Sequence, residues 1–235
     1  MTLYRLFANA PNGRYGLLTV LAFIVALLSA LVLHELAHGL VALWNGDPTA
    51  KVYGRLTLNP LKHFDWIGLI LMFLVGFGWA KPVPVNPNNF KDRKVGAITV
   101  SIAGVATNII LAFVAAMAYV LFMKITPQTE GAAYAVYFFA VLAQLTCQLN
   151  VNFALFNLLP LYPLDGYRLL SCFIDERNGA MMFIRRYSLY IMLGFIVLNS
   201  ISFLSIISPL NWYLAKFGGL IQGGFYNFWR LIFNG

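Results

Sequence analysis

The chain has 235 residues, 60% of them hydrophobic and only 10% charged, with a net charge of +8. A soluble domain carries about 25% charged residues, so the composition excludes a soluble enzyme and points to an integral membrane protein with several spans. The positive charge does not mark a nucleic-acid partner, because the basic residues cluster in short loops between apolar runs, as the positive-inside rule expects.

Residues 1–15 are polar and carry a turn signal, Pro11-Asn12-Gly13. The first apolar run follows, from about Gly16 to Trp44, longer than the roughly 30 Å hydrocarbon core requires. It lacks a small-residue cleavage site, so no cleavable leader is expected. Leu17 to Leu33 hold no charge, and then comes His34-Glu35-Leu36-Ala37-His38. Residues four apart on a helix differ by only about 40° in direction. His34 and His38 therefore share a face, where two imidazoles can grip one zinc ion, with Glu35 beside them to take a proton from a bound water. The competing reading is a chance match or a pair of core histidines. Two of the chain's three histidines flanking a glutamate in an apolar span argue against it, since ionisable groups are costly there and need a purpose.

Asn45-Gly46-Asp47-Pro48 stops the span. Lys51 to Leu58 then alternates, with Val52, Leu56 and Leu58 on one side and Tyr53, Arg55 and Thr57 on the other. That period predicts a short β-hairpin or edge strand near the histidines, with a surface loop as the alternative. Residues 66–79 are apolar but too short to span, which predicts a re-entrant segment returning to its own surface. Lys81 to Pro87 contains three prolines and should be extended and rigid.

The second span runs from about Gly96 to Met123. Its i+4 row is Gly96, Val100, Gly104, Asn108, Ala112 and Ala116, a set that lets helices approach closely. Asn108 would serve either as an interhelical hydrogen bond or as a substrate contact. A third span, about Ala132 to Phe156, ends in Asn157-Leu158-Leu159-Pro160-Leu161-Tyr162-Pro163-Leu164-Asp165-Gly166. Unwound backbone at membrane depth is tolerated only where protein or a water cavity covers it, so this stretch is a candidate site wall. Asp165 is the one carboxylate in this apolar surround and the natural third metal ligand; the alternative is an aspartate that simply starts a turn. Two further apolar stretches follow, at about 184–207 and 212–233. The first is long enough to span, whereas the second, rich in glycine, spans or lies in the interface.

The loops at 45–95 and 167–187 hold 11 basic residues, against Arg5, Arg14 and Lys124 on the other side. This bias places the N-terminus outside and those loops in the cytoplasm. The first and third spans then both run inward, bringing His34, His38 and Asp165 to one depth near the cytoplasmic surface.

These paired motifs, His34-Glu35-x-x-His38 and Asn157-x-x-Pro160-x-x-x-x-Asp165-Gly166, resemble those of the site-2 proteases, zinc-dependent intramembrane proteases. Gly78-Trp79-Ala80-Lys81-Pro82-Val83-Pro84-Val85-Asn86 is similar to the minimal bacterial or archaeal branch, which lacks PDZ and CBS domains. The likeness covers roughly residues 20–175. It implies one zinc held by His34, His38 and Asp165, with Glu35 as catalytic base. Two departures bear on substrate fit: Gly104 to Asn108 lacks a proline frequent in the family, and Tyr167 follows Asp165-Gly166 where a second glycine is frequent. Asn157 would bond the developing oxyanion or the substrate backbone, or else cap the broken helix.

The expected fold is an all-α polytopic membrane protein, with about four to six transmembrane helices, a re-entrant segment and a short β-hairpin. It forms one membrane-embedded domain over residues 1–235, with a core at about 16–175 and the helices at about 184–233 as a candidate gate. The expected activity is hydrolysis of peptide bonds in membrane-spanning protein substrates near the cytoplasmic face of a prokaryotic membrane, with the lipid bilayer as the other partner. A catalytically silent zinc-binding scaffold and a metal-ion carrier are the rival readings.

Overall fold

A computed structural model describes residues 13–68, 70, 80–200 and 208–234. The elements among them are helical: α1 (Gly13–Trp44), α2 (Thr49–Val52), α3 (Arg93–Phe122), α4 (Glu130–Asn157), α5 (Asp165–Ser171), α6 (Gly179–Ser200) and α7 (Pro209–Asn234). Three of these, α1, α3 and α4, are long and apolar enough to cross a membrane. At about 1.5 Å per residue they extend about 42–48 Å, beyond a roughly 30 Å hydrocarbon core. α6 and α7 are long but more polar, carrying Arg185 and Arg186, and Lys216 and Arg230. The expected four to six spans thus reduce to three candidates among the described residues.

Local chemistry sets the helix ends. Asp92 caps α3 by accepting the N–H groups of Lys94 and Val95, each at 2.9 Å. Thr129 caps α4 through the N–H of Ala132. Pro160 prevents α4 from continuing.

Small residues let the three long helices close on one another. Ala22, Phe23, Ala26 and Leu27 of α1 pack against Leu145 of α4. Ala112, Ala115 and Ala116 of α3 meet Cys147, Val151 and Leu155 of α4, and aromatic side chains of α7 cover the seam. The row from Gly96 to Ala116 on α3 is buried throughout. The outward faces expose Leu17, Leu21 and Val25 on α1 and Ile102, Ile110 and Val114 on α3, an apolar surface suited to lipid.

The segment between α1 and α3 departs from expectation. No strand occurs among the described residues; residues 51–58 hold the end of α2 and a run of turns, with Gly54 at φ 62°. The hairpin fails because the backbone donors it needed are spent locally. The N–H groups of Val52, Tyr53, Gly54 and Arg55 go to the carbonyls of Pro48, Thr49, Lys51 and Ala50. Arg55 is buried and donates to the carbonyl of Lys81 at 2.7 Å, whereas Val52, Leu58 and Tyr53 are exposed. The re-entrant segment expected at 66–79 lies mostly outside the described residues. At its margins Phe64 bridges Ala80, and the N–H of Lys81 reaches the carbonyl of His63 at 2.9 Å.

The proline-containing stretch 81–86 runs as an extended strap against the ends of α1 and α3. Phe90 and Val85 pack with Ala42 and Val100, and a Cβ on Gly96 would meet the Phe90 ring at 2.5 Å. Asp47 ties the strap to the end of α1. Its carboxylate accepts the N–H of Thr49 (3.1 Å), the hydroxyl of Thr49, the N–H of Asn86 (2.7 Å) and the side-chain amide of Asn89 (2.8 Å).

Burial alone would raise the pKa of Asp47, but the hydrogen bonds from Thr49, Asn86 and Asn89 hold it below the usual carboxylate value. A depressed folded-state pKa adds stability that is present above the unfolded value, about 3.9, and is lost as the pH falls through the folded one. Asp47→Ala is therefore expected to lower the melting temperature at pH 7 in detergent. Its deficit relative to wild type should shrink as the pH drops below about 4. A pH-independent deficit would show that the carboxylate charge contributes nothing.

Candidate metal centre

His34 and His38 fall one turn apart near the end of α1, and both are buried, at 8% and 4% exposure. Their rings meet edge to face, with centroids 4.6 Å apart. Asp165, 5% exposed, opens α5 on the far side of the unwound stretch after α4. Tight turns fold that stretch back on itself: Leu161 donates to Leu159 and Leu164 to Leu161, each at 2.8 Å. Gly166 completes the return, because a Cβ there would meet the carbonyl oxygens of Leu158 and Leu159 at 2.3 and 2.5 Å.

The three side chains converge. His34 Nε2 and His38 Nε2 are 3.0 Å apart, and Asp165 Oδ2 lies 3.3 Å from the first and 3.1 Å from the second. The partner of His38 Nδ1 decides where its proton sits. That atom lies 2.7 Å from the carbonyl of Val100, which can only accept, so Nδ1 carries a hydrogen and, in the neutral ring, Nε2 is the lone pair. His34 Nδ1 likewise donates to Asn108 Oδ1 at 2.5 Å. As neutral rings, neither imidazole offers a hydrogen to the other, or to Asp165 Oδ2, a buried atom with no hydrogen-bond partner.

Two lone pairs and a carboxylate oxygen thus point at one another in an apolar bundle, an arrangement a cation resolves. The edges of 3.0 to 3.3 Å fit this reading, since tetrahedral zinc with bonds of about 2.0–2.1 Å sets its ligands about 3.3 Å apart. Two imidazoles and a carboxylate leave a fourth position free, the pattern of a catalytic rather than a structural site.

Glu35 is half-buried, and its Oε2 accepts the N–H of Val83 at 2.8 Å. The strap thus holds one carboxylate oxygen of the glutamate beside the metal ligands. Asn108 is fully buried behind the His34 ring, while Asn157 donates to the carbonyl of Phe153 at 3.0 Å, one turn back along α4. Gly104 seats His34 directly, since a Cβ on it would lie 2.4 to 2.6 Å from three atoms of the imidazole.

Sequence reasoning missed several groups. The carbonyl of Val100 and the N–H of Val83 are backbone atoms and carry no signature in the residue type. Asn150 carried one, as an amide two turns before Asn157 in an apolar span, and Asp47 carried another beside a glycine turn.

Asp165→Ala is expected to reduce bound zinc from about one per chain to a small fraction, read by metal analysis of purified protein. Gly104→Ala should weaken zinc binding by about 10-fold or more by displacing the His34 ring without removing any ligand. Wild-type zinc affinity in Gly104→Ala would show that the ring does not depend on that close approach.

Comparison with known proteins agrees with this chemistry. Residues 124–201 match Peptidase family M50. The chain is 43% identical over 162 residues to YwhC of Bacillus subtilis, provisionally named a zinc metalloprotease, an alignment covering 68% of this chain and 72% of that one. It is 33% identical over 149 residues to Rip2 of Mycolicibacterium smegmatis, named in the same way, over 61% of this chain and 54% of that one. No solved structure matches the chain. With helices long and apolar enough to cross a membrane and a group of side chains among them that could hold a metal ion, the chain belongs to Peptidase family M50, the site-2 type of intramembrane zinc metalloprotease.

Proposed function

We propose that the chain cleaves membrane-spanning protein substrates near the cytoplasmic face, with one zinc held by His34, His38 and Asp165 and with Glu35 as general base. The observation that carries this is the convergence of two bare imidazole nitrogens and an unpartnered carboxylate oxygen, next to a glutamate, inside a bundle of apolar helices. When bound at such a site, zinc polarises a carbonyl and lowers the pKa of a water toward about 7.

The protein's own groups do the rest. Val83 N–H holds Glu35 Oε2, which leaves Oε1 to take the proton from the attacking water and to hand it to the departing amine. The apolar walls keep bulk water from the reacting groups. Asn157 stands where α4 ends and the wall begins, a position suited to a polar contact with the substrate backbone. A substrate helix hides its carbonyls in internal hydrogen bonds, so the segment to be cut must first unwind.

The orientation rests on charge. The metal ligands lie toward the end of the bundle where α1 and α4 terminate, the end whose loops hold 11 of the 16 basic residues. That end faces the cytoplasm under the positive-inside rule, and both relatives belong to bacteria, which supports a prokaryotic cell membrane. The candidate gate is α6, because its Ser188 hydroxyl accepts the N–H of Tyr162 at 2.9 Å, in the stretch that delivers Asp165.

Two experiments test this reading. Glu35→Gln should retain zinc but lose cleavage of a membrane-spanning substrate by about 10² to 10⁴-fold in purified enzyme. Turnover near the wild-type rate would remove Glu35 from the chemistry. Single cysteines at Arg177 and at Gln128 should label from opposite sides of the membrane, the first from the cytoplasm. Labelling from one side would refute the inward course of α4.

A further inference from the structure

We infer that Asn150 is a positioning residue that, through Asn108, fixes which nitrogen of His34 is free to bind metal. The inference rests on the reading of His34 as a zinc ligand.

A buried primary amide is an ambiguous group. Its oxygen and its NH₂ are nearly the same size, so either can face a neighbour, and only the neighbour's chemistry selects the orientation. Asn108 faces His34, so its orientation matters to the metal. With Oδ1 toward the ring, His34 Nδ1 must carry the hydrogen and Nε2 is a lone pair. With NH₂ toward the ring, Nδ1 must be bare and Nε2 protonated, which no metal tolerates. An asparagine alone does not choose between the two.

The choice is made one residue further out, and its origin is a backbone carbonyl. Asn150 Nδ2 donates to the carbonyl of Thr146, one turn back on α4, at 2.8 Å. A carbonyl only accepts, so this contact sets the NH₂ of Asn150 toward its own helix and its Oδ1 outward. That oxygen accepts from Asn108 Nδ2 at 2.6 Å. Asn108 is thereby turned with its NH₂ toward α4, its other hydrogen facing the carbonyl of Ala30 on α1 at 3.5 Å, and its Oδ1 toward His34 Nδ1 at 2.5 Å. The polarity runs in one direction from Thr146 to the metal face of the ring.

Both asparagines are wholly buried, at 0% exposure, in a bundle whose core is mostly apolar. In so buried a setting each link is worth more than it would be at a surface. His38 needs no such relay, because its Nδ1 donates straight to the Val100 carbonyl. The two histidines thus reach the same tautomer by different routes, one through backbone and one through two side chains.

Two measurements test the relay. Zinc affinity is read by chelator competition for wild type, Asn150→Leu, Asn108→Asp and the double variant. Asn150→Leu should weaken zinc by about 10-fold or more, the usual scale for loss of an outer partner. In the Asn108→Asp background it should cost less than about 3-fold, because a carboxylate accepts at both ends and needs no orienting. A loss of equal size in both backgrounds means that Asn150 only packs, and no loss in either means that it does nothing; both outcomes overturn the inference.

The second readout is the ¹⁵N spectrum of the histidine rings in zinc-free protein. Wild type should show His34 with its proton on Nδ1, Asn150→Leu should show mixed tautomers, and the double variant should show Nδ1–H again. A His34 ring protonated on Nε2 in wild type overturns the inference whether or not any variant folds. Failure of wild type to bind zinc overturns the site itself, whereas normal zinc binding with an indifferent Asn150→Leu overturns only the relay.

Discussion

Burying two imidazole nitrogens and a carboxylate oxygen within 3.3 Å of one another, with no hydrogen between them, is the constraint on which the rest of the structure turns. Left to themselves the groups would rotate apart, protonate or admit water, since a low dielectric magnifies every unpaired charge. The surrounding architecture blocks the first of these escapes. Gly104 lets the His34 ring sit where any side chain would expel it, and the Val100 carbonyl locks the His38 ring. Gly166 lets α5 begin against the carbonyls that end α4, so that Asp165 has little freedom to withdraw.

The strap contributes the other half of the site from outside the bundle. Between Pro82 and Pro84, neither of which has an N–H, the one backbone donor belongs to Val83, and it goes to Glu35. Asp47 in turn gathers donors from Thr49, Asn86 and Asn89, so the strap is fixed relative to the helix that carries the histidines. The order of Glu35 therefore depends on a second carboxylate, Asp47, at the end of α1.

The residues most legible in the sequence were those governed by a single helix. His34, Glu35 and His38 follow from the α-helical period, and Asp165 from the shared level at which the first and third apolar runs end. The buried row of α3 was legible for the same reason. Lys51 to Leu58 was not, because alternation of side chains says nothing about whether backbone donors are already taken, and here helical turns after Asp47 take them. Asn150 shows a different limit. Its meaning depends on Asn108, 42 positions away on another helix, and no local pattern couples the two.

The placement of the metal ligands along α1 also bears on how products part. His34 and His38 lie ten and six residues before Trp44, where the helix ends, or about 9 to 15 Å along its axis. A spanning chain cut at that level is divided unequally. The fragment on the near side keeps only a few apolar side chains and gains more from water than from lipid, while the other keeps nearly the whole hydrocarbon-crossing length. Under the proposed function, partition between solvent and bilayer then separates the two fragments and draws the reaction forward.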